Sequence, residues 1–335
     1  MTARWRTILI AITVAVVAVA AGSAIVLLVG RSGPVKVRPP PRSGAPSPPP
    51  RRPLASPFTG EPVRSLRPVL AVKIDNYVLA RPQTGLTRAD IVYVLPVEGG
   101  LSRLMAIFSS HLPPVIGPVR SARQDDIELL RQFGRPAFAF SGAQPQLLPV
   151  VEHARIVDLY DGVAGGYYRS PARIAPYNLY AHARTLTAEG RDASVAHDIG
   201  FRFGPAPPGG RAAAAFSVAY PAASLRFQWS ARQARWLVWM DGSPALTTDG
   251  GQLRPATVVI QYTTVRTSRF LEQGTRPPYA QSTGAGRALV LRDGRAYDAH
   301  WSRPKADNGT TFTLPGGRRM DFARGQVWVV LTASG

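Results

Sequence analysis

The segment from Thr7 to Gly30 holds no charged side chain, and that run constrains the chain more than any other feature in it. Wound into a helix at about 1.5 Å per residue, it would cover the roughly 30 Å hydrocarbon layer of a bilayer. A single N-terminal transmembrane helix within residues 1–30 is therefore predicted. A cleaved secretory signal is the alternative, because Arg4 and Arg6 form a basic start and Ala18 to Ala24 supplies small residues. The apolar run continues through Ile25 to Val29, which favours an uncleaved signal anchor. Residues 31–57 then carry ten prolines in 27 positions and almost no large apolar side chain. This proline-rich basic linker reads either as an extended polyproline spacer or as a disordered tether.

The net charge of +20 divides unevenly. Residues 1–57 hold eight Lys/Arg and no Asp/Glu, leaving 32 basic against 20 acidic residues downstream. A globular part near +12 suits an anionic partner such as a lipid head group or a wall polymer. The lack of zinc-finger spacing and of an RNA-binding aromatic signature argues against nucleic acid. With no cysteine there is no disulfide, thiolate metal site, thiol nucleophile or lipid-modified cysteine. His111, His153, His182, His197 and His300 are scattered without ligand spacing, so neither a metal nor a cofactor is expected.

Residues 58–208 alternate element types. Val69–Ile74, Ile91–Val97, Ser102–Ser109, Ala137–Ser141 and Ile156–Tyr160 read as buried strands. Helices are predicted from Ser121 to Gly134 with Ser121 as cap, from Gln146 to His153, and from Asn178 to Ala188. Residues 209–335 change to short β-rich runs at Phe216–Tyr220, Leu225–Trp229, Trp236–Met240 and Thr257–Thr263. Asp241-Gly242, Asp293-Gly294, Asn308-Gly309 and Gly316-Gly317 serve there as turn signals. The expected architecture is an α/β domain with a mixed sheet followed by a β-rich domain.

Three constellations could carry chemistry. Asp75-Asn76 and Glu98-Gly99-Gly100 close the two leading strands, where α/β sheets bind ligands. A Gly-Gly hairpin would place Glu98 beside Arg103, either as an ion pair or as a catalytic acid–base group. Gly117-Pro118-Val119-Arg120-Ser121-Ala122-Arg123 brings two arginines to a helix N-terminus, where they are electrostatically misplaced unless an anion joins them or Asp125 and Asp126 neutralise them. The stretch Tyr167–Arg173 with Pro176–Tyr180 combines rings and donors, suiting a sugar or an anion. A loop pinned by its own tyrosines is the other reading.

These residues resemble a known family, the YerB-like envelope lipoproteins of bacteria, described as carrying a domain of unknown function. The resemblance rests on Arg81-Pro82-Gln83-Thr84-Gly85-Leu86, Ala89-Asp90-Ile91-Val92-Tyr93, Glu98-Gly99-Gly100, Gly117–Arg123 and Ala175-Pro176-Tyr177-Asn178-Leu179-Tyr180. In the C-terminal part it rests on Trp301-Ser302-Arg303-Pro304-Lys305 and Gly325-Gln326-Val327-Trp328. It implies an exported protein with a two-part fold over roughly residues 58–331 and supplies no reaction. The chain departs from the pattern in lacking the lipid-acceptor cysteine, in carrying Tyr177 where the pattern suggests His, and in its Ser141–Pro145 run. Arg31, Lys36, Arg38 and Arg42 after the apolar segment outnumber Arg4 and Arg6 before it, which by charge alone would place the globular part inside. The spacer and the resemblance place it outside.

The expectation is a membrane-anchored, extracytoplasmic binding or assembly protein of the bacterial envelope that recognises an anionic or glycan ligand. Arg81, Gln83, Glu98, Arg103, Arg120, Arg123, Arg173, Asn178 and Tyr180 are the candidate binding residues. The alternative is an envelope hydrolase or transferase with Glu98 or Asp90 as general base.

Overall fold

Apolar runs at both ends of the chain's globular part meet in one eleven-stranded mixed sheet. The structure, a computed structural model, describes residues 53–272 and 274–333. The strands of this sheet are β1 (Leu70–Asp75), β2 (Ile91–Pro96), β3 (Ser102–Phe108), β4 (Ala137–Phe140), β5 (Val157–Tyr160), β6 (Arg211–Ala212), β7 (Thr257–Thr263), β8 (Gly284–Arg292), β9 (Arg295–Arg303), β10 (Thr311–Thr313) and β11 (Val327–Ala333). Their order is β6-β9-β8-β7-β11-β2-β3-β1-β4-β5, with β10 beside β9. The last strand joins the two halves, since β11 lies parallel both to β2 and to β7. Strands β1, β2, β4, β5, β7 and β11 all run the same way, so their carboxyl ends share one edge of the sheet.

Both faces of the sheet are covered, which is why its central strands read as nearly continuous apolar runs, with Lys73 in β1 a buried exception. Leu70, Val72 and Ile74 of β1 join one core with Val92, Val94, Val258 and Trp328. Ala71 joins the other with Tyr93, Met105, Phe138 and Val329. The first face is closed in the C-terminal half by a four-stranded antiparallel sheet of Ala215–Tyr220, Ala223–Ser230, Arg235–Met240 and Ser243–Pro244. Phe227 from that layer meets Trp328 edge-on at 6.0 Å. Asp241-Gly242 and Asp293-Gly294 take left-handed backbone angles between paired strands, the geometry of a two-residue hairpin turn.

The predicted α/β class is corrected to a mostly β fold. The α-helices among the described residues are α1 (Gln124–Leu130), α2 (Leu148–Glu152) and α3 (Ala183–Glu189), of seven, five and seven residues. They are too short to form the covering layer of an α/β sheet. Helix α1 begins after Arg123 and not at Ser121, because the Asp126 carboxylate accepts the Arg123 backbone N–H at 2.7 Å. The helix predicted from Asn178 starts instead as a strand, Leu179–His182, which pairs with Tyr167–Arg169 and Val115–Ile116. The predicted transmembrane helix at residues 1–30 lies outside the described residues and gains no support from them. Among the described residues no helix is long and apolar enough to cross a membrane.

Candidate functional site

The carboxyl edge of β1 and β2 opens into a cleft of about 700 Å³, and the local folding of three segments builds it. The first is the turn joining β2 to β3, closed by the Val97 N–H on Leu101 O at 2.9 Å. Gly99 and Gly100 both take φ +69°, a left-handed conformation that favours glycine. At Gly100 a Cβ would also lie 2.7 Å from Pro221 Cβ, so the C-terminal half packs directly against this turn. The second segment is Gly117–Ser121. It inserts where β1 and β4 part, through Asp75 N–H on Pro118 O and Arg120 N–H on Lys73 O. The third is the hairpin of Val265–Thr267 and Pro278–Ala280, whose loop delivers Glu272 from the C-terminal half.

Glu98 stands between two arginines. Arg103, directly opposite Asp75 in the β1–β3 register, donates Nη2 to Glu98 Oε1 at 3.0 Å and Nη1 to Ser121 O at 3.0 Å. Arg123 donates Nε to Glu98 Oε2 at 2.8 Å and Nη2 to Oε1, in the two-pronged guanidinium–carboxylate geometry. The same Nη2 lies 3.1 Å from Glu272 Oε1. Burial by itself would raise the Glu98 carboxyl, but the Arg123 hydrogen bond and the charges of Arg103 and Arg123 outweigh it and hold the group down at about 2. Burial and the neighbouring Arg123 charge lower the Arg103 guanidinium to about 10.

Arg120 faces Asp75 across the cleft, with Nε 2.9 Å from Oδ2. The charges are close, yet neither atom makes an aligned hydrogen bond, so this is an ion pair of loose geometry. The Arg120 guanidinium also lies 5.8 Å from the centre of the Tyr177 ring, which in turn stacks on Tyr77 at 5.3 Å. Behind Arg123, Lys73 and Asp126 pair at 2.5 Å with both side chains fully buried. Asp125 is buried beside them with neither carboxylate oxygen hydrogen-bonded, and burial together with the Asp126 charge raises its carboxyl. The neutralisation of Arg120 and Arg123 assigned to Asp125 and Asp126 thus falls to Asp75, Glu98 and Glu272.

The sequence-predicted residues fall into four places. Glu98, Arg103, Arg120 and Arg123 line the cleft. Arg81 and Gln83 lie behind it and brace the end of β1, with Arg81 Nη2 on Asn76 O at 2.6 Å and Gln83 Nε2 on Asn76 Oδ1 at 3.0 Å. Arg173 holds a neighbouring loop by donating to Leu79, Arg81 and Pro82 carbonyls, while Asn178 ties Arg169 to Ser170 and Arg173, and the Tyr180 ring stacks on Tyr168. Asp90 sits at the opposite end of β2. Its Oδ2 accepts the Ser109 and Ser110 backbone N–H groups at 2.7 and 2.8 Å, and burial pushes its carboxyl up to about 6 despite those bonds. Residues the sequence reading left out of the site are Asp75, Tyr77, Tyr177 and Glu272. Asp75 and Tyr177 lie within segments already singled out and Tyr77 directly follows one, whereas nothing local marks Glu272.

The chain belongs to the family described as Protein of unknown function (DUF3048), whose N-terminal domain matches residues 58–196 and whose C-terminal domain matches residues 216–329. Among its relatives is the Bacillus subtilis (strain 168) protein named "Putative lipoprotein YerB", 25% identical over 294 residues that cover 82% of this chain and 85% of that one. The crystal structure of the YerB protein from Bacillus subtilis matches with a TM-score of 0.71 at 20% identity, covering 84% of this chain and 97% of that chain. The resemblance drawn from the motifs is therefore borne out, and the mostly β two-part architecture is shared.

Proposed function

We propose that this protein is a membrane-associated, extracytoplasmic component of the bacterial envelope that binds an uncharged, hydroxyl-rich ligand, a glycan, in the cleft at the carboxyl ends of β1 and β2. The observation that carries the reading is charge balance. Three guanidiniums, Arg103, Arg120 and Arg123, face three carboxylates, Asp75, Glu98 and Glu272, and every one of them is in an ion pair. An anion entering this cleft would have to displace a carboxylate already in place. A sugar can instead exchange hydrogen bonds with both kinds of group while its ring packs against the stacked Tyr77–Tyr177 pair that lines the cleft. Of the two ligand classes expected from the sequence, the glycan fits better. The envelope location is supported by the relative's description as a lipoprotein and by the apolar and proline-rich segments that precede residue 58.

A hydrolase or transferase reading has weaker support. Glu98, held at about 2 and clasped by two arginines, is a weak base near neutral pH. Asp90 lies at the far end of the strand, away from the cleft.

The test is calorimetric titration of the full-length protein with a neutral oligosaccharide such as chitotetraose. Saturable binding that weakens about tenfold in Tyr177→Ala is expected. Absence of binding to neutral oligosaccharides, or full affinity in Tyr177→Ala, would count against the site.

A further inference from the structure

The polar cleft does not end at the Glu98–Gly100 turn. On the other side of that turn a second hollow of about 570 Å³ shares Val97, Glu98, Gly99, Leu101 and Thr275 with it. This trough continues along the same edge of the sheet, past the ends of β2 and β11. Pro96, Leu101, Tyr220, Pro221, Val265 and Pro278 give it a largely apolar wall. Tyr220 donates its hydroxyl to Leu331 O at 2.9 Å, so its polar end is already satisfied within the protein. Arg266 and Arg276 also line the trough; Arg276 Nη1 donates to the Ser268 and Arg269 carbonyls at 3.3 and 2.7 Å, and neither guanidinium joins an ion pair among the described residues. In the polar cleft, by contrast, every arginine has a carboxylate partner.

Two hollows therefore adjoin along one edge, a charge-balanced cleft with an aromatic ring and a trough with apolar walls, and the trough is lined by two guanidiniums with no carboxylate partner among the described residues. We infer that the ligand is an amphiphile in which a hydroxyl-rich head is joined through a phosphate to a hydrocarbon chain. The head occupies the cleft, the Arg266 fork and the remaining N–H groups of Arg276 take the phosphate, and the chain lies along Leu101, Tyr220 and Val265. This rests on the reading of the polar cleft as a glycan site. A free sugar would leave the trough empty, whereas each methylene removed from water adds about fourfold in affinity. The match of charge is the argument for a phosphate-linked amphiphile over a neutral one.

Three probes separate the possibilities when titrated into the full-length protein below any micelle concentration: chitotetraose, N-acetylglucosamine 1-phosphate, and the octyl diester of that sugar phosphate. The diester is expected to bind at least tenfold more tightly than the monoester. Ala219→Trp, which places a large ring in the trough from an exposed position, is expected to erase that gain and to leave monoester affinity within twofold. Equal affinity for diester and monoester, with chitotetraose still bound, overturns the amphiphile and leaves the glycan cleft standing. An undiminished gain in Ala219→Trp likewise overturns it. Failure of all three probes to bind overturns both readings together.

Discussion

Strand β2 carries a buried or half-buried carboxylate near each of its ends, and the two are stabilised by opposite means. Glu98, beyond the carboxyl end, is surrounded by guanidinium groups and stays ionised to about pH 2. Asp90, before the amino end, is held by two backbone N–H groups and forms no ion pair among the described residues, so burial lifts it to about 6. A charged partner that moves with the carboxylate out of water outweighs desolvation, and hydrogen bonds from neutral amides at this depth do not. The contrast also separates the two ends by role. At the Glu98 end the charges are matched around an open cleft beside an aromatic ring, whereas the Asp90 carboxylate serves chiefly to fix the Ser109–Ser110 backbone.

The sharpest way to break the comparison is to remove the guanidinium that neutralises Glu98. Arg123→Met should cost about 3–5 kcal/mol in urea unfolding, because Glu98 and Glu272 lose a partner in a largely buried position. A loss below 1 kcal/mol would mean that Arg103 alone suffices. The turn that presents Glu98 should be nearly as sensitive. Gly100→Ala, with its Cβ forced against Pro221 and its φ positive, should cost about 3 kcal/mol, while Gly99→Ala, where a Cβ has room, should cost about 1 kcal/mol. Equal effects would show that backbone angle, and not contact with the C-terminal half, sets the requirement.

At the other end the sign reverses. The Asp90 carboxyl has a folded value above its ordinary 3.8, so the stability it contributes is complete below about pH 4 and is lost as pH rises through about 6. Asp90→Asn should therefore stabilise the protein by about 2 kcal/mol at pH 8 and leave it nearly unchanged at pH 4, measured by denaturant midpoints. Destabilisation of equal size at both values would show that the ionised carboxylate is favourable where it sits. Glu98 behaves in the opposite sense, its contribution present above about pH 4.5 and lost as pH falls towards 2. Glu98→Gln should flatten the acid limb of the unfolding profile, an effect of about 2 kcal/mol after allowance for its partial exposure.

What the sequence disclosed depends on how local each signal is. The strands β1, β2 and β7 were legible because coverage on both faces writes them as runs rich in Val, Ile and Leu, interrupted by Lys73 in β1 and Gln261 in β7. The Glu98–Arg103 pair was legible because a hairpin of that spacing aligns its flanks. Helical pattern misled at Asn178, where pairing of Leu179–His182 with Tyr167–Arg169 overrides local preference. Arg173 and Asn178 have the composition of a binding loop, yet their donors are directed to backbone carbonyls, and the Asn178 Oδ1 accepts from Arg169. Donor-rich loops look alike in sequence whether they face a ligand or brace themselves. Glu272 had no signal at all, since its partner Arg123 lies far earlier in the chain and they meet only through contacts between the halves, such as Ser268 with Gln124 and Tyr279 with Glu128.

The central claim is that the cleft beside Glu98 is electrically balanced and selects a hydroxyl-rich ligand over a bare anion. The most direct measurement compares chitotetraose with inorganic polyphosphate across 50 to 500 mM salt (about 14 to 4 Å of screening length) by calorimetry on the full-length protein. The account predicts chitotetraose binding that changes less than twofold over that range and a polyphosphate signal unaffected by Tyr177→Ala. Polyphosphate binding that depends on Tyr177 and Arg120 and collapses with salt, with no affinity for chitotetraose, would contradict it.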